Sequence, residues 1–267
     1  MKLIIYTNPK KPNAARLLSE LSEIAERRGI ETTPFASDVI LAGAPGEIWS
    51  GVTAVVTIGG DGTILRAVSA AAPHGVPVLG INMGRVGFFS EIGTEEFESA
   101  LDKLLSGNYS VESASMLTCL VNGEYCGLCL NDFIIHRQEL SSIAQLGLTV
   151  DGDEVGDVMA DGLIVATPSG STAYTMSAGG PVVAPKLDCM LVTPICPHSL
   201  TVRPIVASAD SVVSVCARST CRLTRDGQDV CVVRPGDELV FKKAEGAAEF
   251  IRFGKRNVFG LIREKLK

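Results

Sequence analysis

Residues 57–65, TIGGDGTIL, place one carboxylate, Asp61, among Gly59, Gly60 and Gly62, after a β-branched run and before a helical pattern. Glycines at such a corner adopt backbone angles closed to other residues and let amides approach an anion, and a helix starting there brings its positive end close. With Thr63 they form a candidate phosphate loop, although it lacks the lysine of GxxxxGK[ST] and does not match GxGxxG. An acid in that loop would repel a phosphate, so its place there needs a reason. Phosphoryl transfer supplies one: a carboxylate orients the attacking hydroxyl and accepts its proton, and a loose transition state lets a modest base suffice. The competing explanation is that Asp61 only caps the helix.

Two further stretches carry polar groups where the pattern is otherwise apolar. In LCLNDFIIHR, Asn131 and Asp132 interrupt a strand. Burying that amide and carboxylate unpaired is costly, so they call for partners, which a ligand ribose would supply, unless the pair marks a strand bulge or a strand end. In DGLIVATPSGSTAYTMSAGGPVV, residues 161–183, a strand runs into Ser169, Gly170, Ser171, Thr172, Tyr174 and Ser177. Small hydroxyl residues suit a flat polar ligand such as adenine with its ribose, whereas the bland alternative is a Pro/Gly-rich turn. The serine spacing is not that of a GxSxG elbow. His74, His136 and His198 lie apart and read as structural or surface residues, with Arg137 beside His136.

The elements that must hold these residues change character along the chain. KLIIYT reads as a strand, followed by a helix with Ala14, Leu17, Leu18, Leu21 and Ala25 on one face and Gly29 at its end. GVTAVVTIG, TILRAVSAAA, VPVLGIN and TEEFESALDKLLSG continue the strand–helix alternation, which implies a parallel sheet with helices on its faces. Ligands of such sheets sit beyond the carboxyl ends of the strands, where GGDGT falls. From about residue 110 the rhythm is strand, turn, strand, bending at Asn122–Gly123 and Asp151–Gly152. We therefore expect an α/β domain over 1–108, completed by about 250–267, and a β-rich domain over 109–249. The last segment, NVFGLIREKLK, regains helical spacing through Phe259, Ile262 and Leu266 and is expected to return to the first domain.

Composition bounds the partners. A chain of 267 residues that is 46% hydrophobic and 20% charged reads as globular, and a net charge of −6 argues against a nucleic-acid or anionic-membrane surface. No apolar run approaches the roughly 20 residues of a membrane span, and the first residues lack a targeting pattern, so a cytoplasmic location is expected. Eight cysteines are scattered, with one CxxC at Cys126 and Cys129. Strand alternation would keep that pair from sharing a face with two more ligands, so the cysteines read as small buried hydrophobes.

Taken in order, GGDGT, LNDFIIHR, DGLIVATPSGSTAYTMSAGGPVV and VTPICPHSLTVRPIV resemble the NAD kinase family over about residues 50–265. The resemblance implies a Rossmann-like N-terminal domain, a mainly β C-terminal domain with the active site between them, and transfer of the ATP γ-phosphoryl group to the adenosine-ribose 2′-hydroxyl of NAD. It places Asp61 beside that hydroxyl as base, Gly62 close to the dinucleotide and Phe88 in the pocket lining. It sets Asn131 and Asp132 at the ribose, and Asp161, Ser169, Thr172, Ala173, Tyr174 and Ser177 along the adenine and diphosphate wall. A divalent metal, Mg2+ or Mn2+, is expected with ATP because the loop has no lysine to neutralise the triphosphate, with no protein ligand assigned to it; ATP and polyphosphate both stay open as donor, and the resemblance implies a homo-oligomer, dimer or tetramer. Two departures stand out: many relatives have glutamate where Asp132 stands and arginine at the place of Met159. A lipid kinase of the diacylglycerol or sphingosine type shares GGDGT, and a non-catalytic dinucleotide sensor would use the same pocket.

Overall fold

The computed structural model describes residues 1–8, 13–36, 44–84, 87–255 and 257–265. The chain divides into two units, Met1–Ser113 with Gly246–Lys267, and Ala114–Glu245.

The first unit is built on the parallel strands β1 (Lys2–Thr7), β2 (Glu31–Phe35), β3 (Ala54–Ile58) and β4 (Val78–Asn82), in the order β4-β3-β1-β2. Every residue of β3 and β4 is buried, the signature of a strand covered on both faces. Pro34 lies in β2, which ends this run of strands and so tolerates a missing N–H. The helix Ala14–Arg27 buries Leu18, Leu21 and Ala25, and the helix Phe97–Leu105 buries Phe97, Leu101 and Leu104, against Leu3, Ile5, Val56 and Leu79 of the sheet. Full burial of each such side chain contributes about 1.5–3 kcal/mol. Gly29, at φ 73, supplies the left-handed residue that ends the first helix. The helix Asp61–Ala71 follows β3 through Gly59 and Gly60, so Asp61 stands at the carboxyl end of β3. The last helix, Val258–Lys265, buries Ile262 but leaves Phe259 63% exposed, so the expected apolar stripe is only partly covered; Leu266 lies outside the described residues.

The second unit is a stack of antiparallel strands. Six of them, β5 (Asp132–Arg137), β6 (Gly162–Ala166), β7 (Cys189–Ile195), β8 (Ile205–Ser208), β9 (Cys221–Arg225) and β10 (Gln228–Val233), form a sheet ordered β8-β7-β6-β5-β9-β10. Phe133, Ile135, Leu163, Val165 and Val192 of this sheet pack against Leu146, Leu148, Val158, Val213 and Phe241 of the strands facing it. Asn122 and Gly123, at φ 51 and 84, close one hairpin, and Asp151 and Gly152, at φ 53 and 86, close another.

The cysteine pair departs from the expected alternation. Opposite Cys119 the strand Glu124–Cys129 carries extra residues, and Gly127 takes φ 109. This bulge shifts the facing by one, so Cys126 and Cys129 pack on the same core, together with Cys119, Cys221 and Cys231. The thiols are free, and no group of three metal-binding side chains occurs among the described residues. Burial pushes Cys119 and Cys129 well up, as befits inert core thiols.

Candidate functional site

The acid of GGDGT is not a cap. Gly60 occupies the N-cap position and Asp61 is the first helical residue. Its carboxylate instead reaches across to a neighbouring loop: Phe88 N–H donates to Oδ2 at 3.0 Å and Phe89 N–H to Oδ1 at 3.0 Å. The position also favours negative charge, since the helix dipole is positive at this end. The loop is braced by Asn82, whose Oδ1 accepts Gly84 N–H at 2.8 Å, and by Ser90, whose Oγ accepts Gly87 N–H at 2.7 Å.

The glycines divide into two kinds. At Gly59 a Cβ would lie 2.5 Å from Thr63 Oγ1, and at Gly87 it would collide with the Asp61 carboxylate, so the fold itself requires glycine at both places. At Gly60 and Gly62 a Cβ would meet nothing within 4 Å. Neither has a positive φ, so the chain itself demands glycine at neither. Thr63 is buried with its side chain under Gly59.

In the second unit the two remaining motifs meet at one corner. Thr167 N–H donates to Asn131 C=O at 2.9 Å, and Thr167 Oγ1 donates to Leu130 C=O at 2.5 Å. Gly170 packs so closely on the Asn131 backbone that a Cβ there would overlap it. The hydroxyl-rich stretch thus starts against the Asn131–Asp132 pair, and forms a 3-10 turn, Ser169–Thr172, then a single helical turn, Tyr174–Ser177. Ser171 is buried and bonded to Val183. Ser169, Thr172 and Ala173 are half-buried, and Tyr174 and Ser177 are exposed.

Asp226, which motif reasoning passes over, completes the corner. It sits with Gly227 in the left-handed turn joining β9 to β10, and its carboxylate accepts N–H bonds from Leu130 at 2.9 Å, Asn131 at 2.8 Å and Asp132 at 3.2 Å. Burial still holds Asp226 above the usual carboxylate range, outweighing those three bonds. Asp132 is buried, 4% exposed, and no hydrogen bond or ion pair holds its carboxylate among the described residues. Burial first, and the Asp226 charge second, push it up to about 7. Asn131 Oδ1 is likewise buried without a donor. Two adjacent acceptors lacking donors, each costing about 1–3 kcal/mol, leave this corner in need of donors that the described residues do not supply.

Asp161 takes a different position. Its Oδ1 pairs with Arg137 Nη1 at 2.9 Å, and both line a cleft of about 470 Å³ with His136, Tyr174, Thr224 and Ile195. Met159 is 44% exposed and places no cation there. His74 stacks on Trp49, with ring centroids 4.5 Å apart, and His198 is exposed.

Comparison with known proteins gives a consistent answer along the whole chain. Residues 7–109 match the ATP-NAD kinase N-terminal domain, and residues 130–253 match the ATP-NAD kinase C-terminal domain. The chain is 37% identical over 278 residues to an NAD kinase of Symbiobacterium thermophilum, covering 99% of this chain and 98% of that one. It is 34% identical over 276 residues to an NAD kinase of Koribacter versatilis, covering 98% and 96%. The crystal structure of an NAD kinase from Archaeoglobus fulgidus in complex with ATP superposes with a TM-score of 0.81 at 32% identity, over 98% of this chain and 99% of that one. That of yeast NADH kinase complexed with NADH reaches 0.87 at 22% identity, over 100% and 87%, a likeness of fold alone. With both domains matched in order and full-length relatives above 30% identity, the chain belongs to the NAD kinase family of phosphotransferases.

Proposed function

We propose that the protein transfers the γ-phosphoryl group of ATP to the 2′-hydroxyl of the adenosine ribose of NAD, producing NADP. The observation that carries this reading is the Asn131–Asp132 corner, where a buried amide oxygen and a buried carboxylate lack donors that the hydroxyls of a ribose supply. Asp61 acts as the base and orienter of the attacking hydroxyl. Gly60 and Gly62, which the chain has no need of, leave room for phosphate oxygens near backbone amides. Phe88 lines the pocket, Asp161 and Tyr174 line the cleft of the second unit, and Ser169, Thr172, Ala173 and Ser177 form the polar wall for adenine and diphosphate.

The divalent cation enters as part of the nucleotide substrate. The donor set we assign to it is the phosphate oxygens of ATP, with water. It neutralises charge on the transferring group, and chelation with EDTA is expected to stop turnover. Undiminished NADP formation in a metal-free preparation would contradict this.

No helix among the described residues is long and apolar enough to cross a membrane. The reading places the enzyme in the cytoplasm as a homo-oligomer, and light scattering showing only a 28.1 kDa species in active preparations would overturn the oligomer. The acceptor is tested by offering NAD, and separately diacylglycerol and sphingosine in liposomes, with labelled ATP. Label in NADP alone is the expected result. Label in lipid, or tight NAD binding without transfer, would refute the proposal.

A further inference from the structure

The Phe88 and Phe89 amides that hold Asp61 are themselves held from the far end of the sequence. Arg252 is 4% exposed at the end of the strand Glu238–Arg252, and its Nη1 donates to Phe89 C=O at 3.1 Å. Its Nε donates to Glu112 Oε2 at 2.6 Å, its Nη1 lies 3.4 Å from Glu91 Oε2, and its guanidinium carbon stands 4.8 Å from the centre of the Phe250 ring. Phe250 in turn stacks on Phe89, with centroids 5.7 Å apart and planes at 13°. Glu91 uses its other oxygen, Oε1, to accept Phe253 N–H at 2.7 Å. Phe89 is therefore fixed three ways: its N–H by Asp61, its C=O by Arg252, and its ring by the aromatic face beneath that same guanidinium.

We infer that Arg252 is a positioning residue for Asp61, setting the carboxylate's place through the backbone of one residue, Phe89. The inference rests on the catalytic reading of Asp61 given above. A buried cation balanced by Glu91 and Glu112 does not drift, because moving it would leave carboxylates without their partner. The planar guanidinium suits three acceptors lying in fixed directions, which a lysine ammonium on a flexible stem does not match. Displacement of about 1 Å at a reacting group lowers rate by up to about a hundredfold, so slackening Phe89 reaches the chemistry without touching the substrate.

The test uses Arg252→Lys, which keeps the charge and so preserves the fold better than Arg252→Met. Melting is followed by the fluorescence of Trp49, the sole tryptophan and buried in the same unit. In the folded variant we expect amide exchange at Phe88 and Phe89 to accelerate about tenfold or more. We expect kcat to fall about tenfold, with KM for NAD within about twofold. In an Asp61→Asn background the same substitution should change kcat less than about twofold, since the two effects share one route. Unchanged exchange at Phe88 and Phe89, an equal loss of kcat in both backgrounds, or a rise in KM alone would each overturn the inference. A wild-type protein that made no NADP would overturn the proposed function instead, and the exchange measurement would still decide whether Arg252 holds the loop.

Discussion

The chain reverses at Asp151–Gly152 and at Asp226–Gly227 with the same dipeptide and nearly the same backbone, φ 53 and 86 in the first and φ 45 and 75 in the second. At the first turn the Asp151 carboxylate accepts Val212 N–H at 2.7 Å on the surface. That bond, and then the Ser211 hydroxyl, hold the carboxyl below its usual range. At the second turn the same side chain gathers three consecutive amides of another strand end, and burial drives it the other way. Turn geometry is thus a property of two residues, whereas the work of the carboxylate is a property of where the hairpin lands. One turn closes a hairpin and ties down a neighbouring segment. The other shapes the corner where the buried Asn131 amide oxygen and Asp132 carboxylate lack donors.

The contrast is broken most sharply by Asp226→Ala. Three amides at a half-buried corner lose their acceptor, so we expect a loss of about 3 kcal/mol in urea unfolding and a rise in KM for NAD of more than about tenfold. An unchanged KM in the folded fraction would show that the corner holds its shape unaided. Asp132→Asn should raise KM for NAD about tenfold while kcat changes little, the mark of an interaction made equally in ground and transition states. A fall in kcat at constant KM would move Asp132 into the chemical step.

The Asp132 carboxylate also predicts a pH dependence. Its folded value, about 7, lies above the ordinary 3.8, so ionisation opposes the fold. Its contribution to stability is fully present below about pH 3.8 and is lost as pH rises through about 7, and Asp132→Asn should flatten that decline. Ribose hydroxyls favour the ionised form, so NAD should bind with proton release below about pH 7. Its Kd should weaken by up to about tenfold per pH unit as pH falls further. Titration at pH 6 in two buffers of different ionisation enthalpy measures that proton directly, and identical heats would contradict it. Smallest of all, Asp151→Asn should leave KM unchanged and Tm within about 2 °C, because an exposed Asn tolerates the same left-handed turn.

What the sequence discloses follows the range of the interactions. Continuous apolar runs announced β3 and β4, and Asn-Gly and Asp-Gly announced hairpins, because those signals are complete within a few residues. The apolar setting of Asn131 and Asp132 marks them as groups in need of partners. The partner that positions them, Asp226, lies about 95 residues on and is passed over, since no local pattern says which amides a carboxylate in a turn will meet. The bulge at Gly127 is hidden for a related reason: it exists only against a partner strand, and without it alternation sends Cys126 to the wrong face. Asp61 was visible as an acid in a glycine corner, but its hold on Phe88 and Phe89 depends on a loop far along the chain.

That hold sets the decisive measurement, because it gives Asp61 a structural task beside the chemical one proposed for it. Asparagine keeps a carbonyl oxygen to accept one of the two amides but cannot take a proton at neutral pH. In single-turnover experiments with NAD saturating and the Trp49 melting transition unaltered, Asp61→Asn should slow NADP formation by roughly 10²- to 10⁴-fold while the Kd for NAD stays within about threefold. Near-normal turnover in a stable Asp61→Asn protein would contradict the account, leaving Asp61 as a loop anchor and the chemistry without its base.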